Sequence, residues 1–102
     1  MTAPSRLDAM RAMAAKQPTN ALVRFGLANE LLKANLLEEA ATELAAYLAS
    51  YDDEGNGWLR YCDTLVALGR HDEARAAAVR GQDAARRYGH GTLMQEFEER
   101  GY

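Results

Sequence analysis

Apolar residues recur three and four positions apart along most of this chain, and turn-forming residues interrupt them at regular intervals. Leu27, Ala28, Leu31 and Leu32 form one stripe, and Leu37, Ala40, Ala41, Leu44 and Leu48 form the next. Residues at those spacings share a helix face, so each stripe predicts an amphipathic helix. Leu7, Met10, Met13 and Ala14 repeat the pattern ahead of Pro18, with Ser5 as the N-cap. Leu93, Met94 and Phe97 repeat it near the end, where Thr92-x-x-Gln95 has the form of a capping box. Asn35 and Gly69 tolerate left-handed backbone and so can end helices. Asp52, Asp53, Gly55, Asn56 and Gly57 make a polar break before Trp58. The pattern predicts six helices, near residues 5–16, 20–34, 37–51, 57–68, 71–87 and 92–100.

Two of these segments resemble one another. Leu27-Ala28-x-x-Leu31, Asn35 and Glu39-Ala40 are followed, 34 residues later at each position, by Tyr61-Cys62-x-x-Leu65, Gly69 and Glu73-Ala74. The turn residue and the acidic first turn match as well as the stripe. Ala28 and Ala40 are small where two helices would cross, and Cys62 and Ala74 are their counterparts. Small residues at a crossing let helix axes approach closely. Cys62 acts there as a small hydrophobe.

A 34-residue helix–turn–helix period resembles the tetratricopeptide repeat, whose pattern is W-x2-L-G-x2-Y, then A-x3-F, then P. The second unit reads Trp58-x2-Tyr61-Cys62-x2-Leu65 and Ala74-x3-Ala78; the first reads Arg24-x2-Leu27-Ala28-x2-Leu31 and Ala40-x3-Leu44. Pro18 stands 34 residues before Asp52 and closes a preceding half-unit. The departures are Arg24 in place of an aromatic, Asp52 and Arg86 where proline is usual, and Tyr47 and Gly81 in place of a small core residue. The match covers residues 21–88 directly and the flanks by extension. The resemblance implies an all-α, right-handed solenoid forming a single domain over residues 1–102. Its parts are an N-terminal half-repeat at 5–17, repeats at 21–54 and 55–88, and a capping helix at 91–101. About three units are normally needed before such repeats bury their faces, which the flanking helices supply.

Composition narrows the function. The length suits one domain. A net charge of −3 argues against nucleic acid, whose binders draw most of their affinity from a basic excess. The local basic residues Arg75, Arg80, Arg86 and Arg87 read as a solvated helix face, with those near the helix end complementing its dipole. A single cysteine forms no intrachain disulfide and no thiolate metal cluster. No apolar run approaches the roughly 20 residues that span a bilayer. Residues 1–6 lack the apolar core of a leader peptide, so no membrane partner is expected and the cytoplasm is the expected location.

Catalytic chemistry finds little footing. His71 and His90 have no metal-ligand spacing. Glu38-Glu39 and Asp72-Glu73 are first-turn residues that favour the helix dipole. No phosphate-binding glycine loop or nucleophile elbow is present. The chain therefore reads as a non-enzyme without cofactor or metal.

The resemblance implies that the first helix of each pair lines a concave binding groove. The groove residues are then Leu22, Phe25, Asn29, Leu32 and Lys33 from one repeat, and Leu59, Asp63, Val66 and Ala67 from the next. Phe25, Leu32, Leu59 and Val66 would be exposed apolar anchors for a peptide or amphipathic helix of a protein partner. One subclass of the family grips an acidic tail with Lys, Asn and Arg. Only Asn29 resembles that clamp, and Phe25 stands where its lysine is expected, so no such clamp is predicted. The alternative is a self-associating subunit, a homodimer through the terminal helices, with Met10, Met13, Leu93, Met94 and Phe97 at the seam.

Overall fold

The computed structural model describes residues 5–102, and over them the chain is all-α. The stretch 1–4, read above as part of a segment without a leader's apolar core, lies outside the described residues. Six helices follow one another: α1 (Arg6–Lys16), α2 (Ala21–Lys33), α3 (Leu37–Ser50), α4 (Asn56–Ala67), α5 (His71–Arg87) and α6 (Gly91–Glu99). Each lies within one or two residues of its predicted span. Among the described residues no helix is long and apolar enough to cross a membrane.

The 34-residue period is visible in the backbone. Asn35 has φ 59° and Gly69 has φ 77°. At the first turn Leu36 N–H donates to Leu31 O at 2.9 Å and Asn35 N–H to Leu32 O at 3.0 Å. At the second, Arg70 N–H donates to Leu65 O at 2.8 Å and Gly69 N–H to Val66 O at 2.9 Å. Both are Schellman closures, which satisfy carbonyls that a helix end leaves open. The α5–α6 turn repeats the device at Gly89, with φ 65°. These turns are so short that the next helix starts at once. Leu36, Arg70 and His90 occupy its N-cap without a side-chain cap bond. Thr92 therefore lies inside α6, and the capping box read from Thr92-x-x-Gln95 does not form. Ser5 does cap α1, its Oγ accepting from Asp8 N–H at 3.1 Å.

The chain divides into two compact units, one ending at Tyr51 and the other starting at Asp52. In the first, α2 packs on α3 and α1 on α2. Ala14, Leu27, Leu31 and Ala40 form a core, with Leu7, Met10, Val23 and Leu32 against it. Burying a leucine of this kind contributes about 1.5–3 kcal/mol. Arg24, the departure from the aromatic pattern, ties the unit together. Its Nε donates to Pro18 O at 2.8 Å and its Nη1 to Glu43 at 2.9 Å. Arg6 and Arg11 of α1 reach Glu30 and Glu39, and these guanidiniums hold both carboxyls below the ordinary range.

In the second unit α4 packs on α5 and α5 on α6. Its core joins Leu59, Cys62, Leu65, Ala74, Ala77, Ala78, Ala85, Leu93 and Phe97. The run of alanines on α5 brings the helices close, as the sequence pattern requires. Asp53 is buried and accepts from Gly55 N–H and Gly57 N–H, both at 2.8 Å, so it caps the start of α4 from upstream. The basic residues of this unit are engaged with neighbours. Arg80 lies 4.7 Å over the Trp58 ring, Arg86 and Arg87 pair with Asp83, and Arg75 pairs with Asp72.

Cys62 is fully buried and its Sγ–H donates to Ala74 O at 3.4 Å. Burial, and secondarily the nearby Asp63 carboxylate, pushes its thiol up to about 12. The thiolate is the reactive species, so at pH 8 a colorimetric disulfide reagent should label Cys62 only as fast as the unit opens. Labelling in urea should be complete within minutes. Rapid stoichiometric labelling of the folded chain would contradict this burial.

Candidate functional site

The residues assigned to one groove have different fates. In the first unit Leu22 is 62% exposed. Phe25 is half-buried, its ring centroid 4.6 Å from that of Tyr47. Asn29 is half-buried, and Leu32 packs against the unit's core. Lys33 is exposed, with its Nζ 3.4 Å from Glu30. In the second unit Leu59 is only 5% exposed and belongs to the core. It cannot serve as an exposed anchor, because its face of α4 meets α5 and α6 side chains instead of solvent. Val66 is 37% exposed and Asp63 is half-exposed.

The seam assigned to self-association is corrected more sharply. Leu93 and Phe97 are 2% and 0% exposed. The face of α6 that carries them is spent inside its own unit. Met94 is partly buried against the same core, and Met10 packs on the core of the first unit. Met13 remains exposed.

Asp63 and Val66 line a cleft of about 390 Å³ in the second unit, together with His71, Ala74, Arg75, Arg100, Gly101 and Tyr102. That volume falls within the range of small-ligand and side-chain pockets, roughly 300–1,000 Å³. The local fold explains the assembly. Asp63 and Val66 are three apart on one face of α4. The tight turn at Gly69 brings the first turn of α5, with His71, Ala74 and Arg75, beside the end of α4. The segment after α6 then supplies the third wall.

Asp63 is the hub of this cleft. Arg100 Nε donates to its Oδ1 at 2.8 Å and its Oδ2 at 3.0 Å, and Tyr102 Oη–H donates to Oδ1 at 3.2 Å. Arg100 Nη1 also donates to Glu96 O at 3.1 Å, and Gln82 Nε2 donates to Tyr102 O at 3.3 Å. The Tyr102 ring packs against the core, 6.4 Å from Phe97. Both members of the Arg100–Asp63 pair are substantially exposed. Such pairs contribute about 0–1 kcal/mol, so Arg100 is held in place without being locked there.

Burial raises the Tyr102 phenol to about 12, with the Asp63 carboxylate adding to it. A group raised in the folded state contributes stability below its unfolded value, and that stability is lost as pH rises through the folded one. Docking of Tyr102 should thus be intact below pH 10 and fail as pH approaches 12. Absorbance at 295 nm, as the difference between the wild type and Tyr102→Phe, should titrate near pH 12. A midpoint near pH 10 would place this phenol in open solvent.

Nothing in the groove pattern pointed to His71, Arg75, Arg100, Gly101 or Tyr102. Arg100 and Tyr102 lie 37 and 39 residues from Asp63. The available signal was an arginine and a tyrosine, left outside the apolar stripe of α6, facing a lone aspartate on the polar side of α4. Among the described residues no group of three or more His, Cys, Asp or Glu side chains is placed to hold a metal ion. Comparison of the chain with protein-family models, with curated proteins and with solved structures gives no match.

Proposed function

We propose that the chain is a protein-binding module of the tetratricopeptide type, with the cleft of the α4–α6 unit as the seat for a peptide segment of a partner. The observation that carries this reading is the cleft itself, which combines an exposed apolar side chain, Val66, with the hydrogen-bonding hub Asp63. Apolar contact supplies affinity there, and a few fixed polar groups supply orientation. The repeat period and its matched turns at Asn35 and Gly69 support assignment to the repeat class. The solenoid arrangement and the cytoplasmic location are part of the same proposal, the latter resting on the lone buried thiol. The reading involves no catalytic step and no cofactor.

The test is selection of a displayed random-peptide library on the immobilised chain. A consensus should emerge whose binding is lost in Val66→Asp. That side chain is exposed, so the variant should keep its fold. A library that yields no consensus, or one indifferent to Val66→Asp, would overturn the proposal. The self-association reading retains only Met13 as an exposed member of its five seam residues. Light scattering across a concentration series, repeated on Met13→Glu, tests it directly.

A further inference from the structure

Helix α1 is the most lightly held element of the first unit. It buries one residue, Ala14, whereas α2 buries Leu27, Ala28 and Leu31, and α3 buries five. Its other apolar contacts are Leu7 and Met10, partly buried against the cluster of Ala14, Leu27, Leu31 and Ala40. Met10 rests on the α2 backbone at Gly26, where a Cβ would stand 2.7 Å from the methionine Cε. A methionine fills such a gap without being locked into it, because its unbranched chain has several rotatable bonds.

The remaining hold on α1 is ionic. Arg6 Nε donates to Glu30 Oε1 of α2 at 2.7 Å. Arg11 forks onto Glu39 of α3, Nε to Oε2 at 3.0 Å and Nη2 to Oε1 at 2.7 Å. The neighbouring pairs Lys33–Glu30 and Arg11–Asp8 each stay within one helix and hold nothing across the interface. One arginine of α1 thus ties it to each of the two helices beneath. Both ties lie at the surface, where added salt screens them. Screening leaves the apolar core shared by α2 and α3 intact. An undocked α1 would also unwind, since its 11 residues are too few for a stable isolated helix.

We propose that α1 is an ionically latched lid on the α2–α3 pair, which rising ionic strength releases by local unfolding while α2 and α3 stay helical, uncovering the apolar face of Leu27 and Leu31. The inference concerns the first unit alone and does not depend on the reading of the Asp63 cleft. Elements with few buried apolar contacts open at lower free energy than the core of the same protein, and here the latch sets how often the lid opens.

The experiment is native-state amide hydrogen exchange on the full chain at neutral pH, read at Met13, Ala14 and Lys16 of α1, with Leu44 and Leu48 of α3 as internal reference. The salt is raised from about 0.01 M to about 1 M sodium chloride, which shortens the screening length from roughly 30 Å to roughly 3 Å. The α1 amides should exchange faster than the α3 amides throughout. Their rates should rise about three- to tenfold with salt, as the loss of two exposed ion pairs implies, while the α3 rates hold. Arg6→Gln/Arg11→Gln should show the faster α1 exchange already at low salt and lose most of the salt response. Glu30→Gln/Glu39→Gln approaches the same pairs from the other side and should behave alike, which covers the case in which the arginine variant misfolds. Exchange of α1 and α3 at one common rate would show that the unit opens only as a whole and would overturn the proposal. So would α1 rates indifferent to salt, or a salt response that persists in the variants.

Discussion

Phe97→Ala should cost the protein about 3–5 kcal/mol, the usual cost of deleting a buried phenylalanine ring. Phe97 is the largest fully buried side chain among the described residues. It fills the space where α6 meets the alanine face of α5, and it touches the position of Gly81. Alanine there leaves a cavity that small neighbours cannot fill. The consequence is amplified by the shortness of α6. Nine residues are too few to stay helical without a packed face, so losing the ring should release α6 and take away the wall of the Asp63 cleft that Arg100, Gly101 and Tyr102 supply. For a domain of this size each kcal/mol lowers the melting temperature by roughly 4–8 °C, which puts the expected drop at about 15 °C or more. Thermal unfolding followed by far-ultraviolet circular dichroism reads it, and a loss below about 1 kcal/mol would mean that α6 does not close this core. A charge at Phe97 is for the same reason no test of a copy-to-copy seam, since it would unfold the unit before it dissociated anything.

Gly81→Val should be nearly as damaging through the opposite error. A Cβ at Gly81 would stand 2.5 Å from Phe97 Cζ and 2.6 Å from Trp58 Cβ. The phenylalanine ring is enclosed on its other sides, and the Trp58 Cβ is attached to the α4 backbone, so neither can yield without moving a helix. Overpacking of this kind costs about 1–3 kcal/mol, and two methyl groups beyond the Cβ bring valine to the upper end. The alanine variant is the more discriminating one. In an open helix Gly→Ala stabilises by about 1 kcal/mol, so a more stable Gly81→Ala would show that the crossing has room to spare. Urea unfolding monitored through Trp58, the single tryptophan, measures both variants, and we expect both midpoints to fall. Glycine at Gly81 is thus what the close packing of α4, α5 and α6 demands.

The helices, their order and two of their turns were determined by sequence alone. Periodicity and turn chemistry are local: a stripe at Leu27, Leu31 and its relatives specifies a helix face, and Asn35 or Gly69 closes a helix through backbone that few other residues adopt without strain. The 34-residue period made the second helix pair readable from the first. Tertiary packing decided which apolar faces were already occupied. Leu59, Leu93 and Phe97 look from sequence like any other exposed stripe on a first or last helix, because periodicity states that a face is apolar and not what covers it. Their burial depends on how closely α6 approaches α5, and that follows from the absence of a side chain at Gly81. The cleft was equally out of reach. Asp63, Arg100 and Tyr102 carry no motif, Asp63 stands more than 35 residues from the other two, and only the return of the chain beyond α6 brings a guanidinium and a phenol onto one carboxylate.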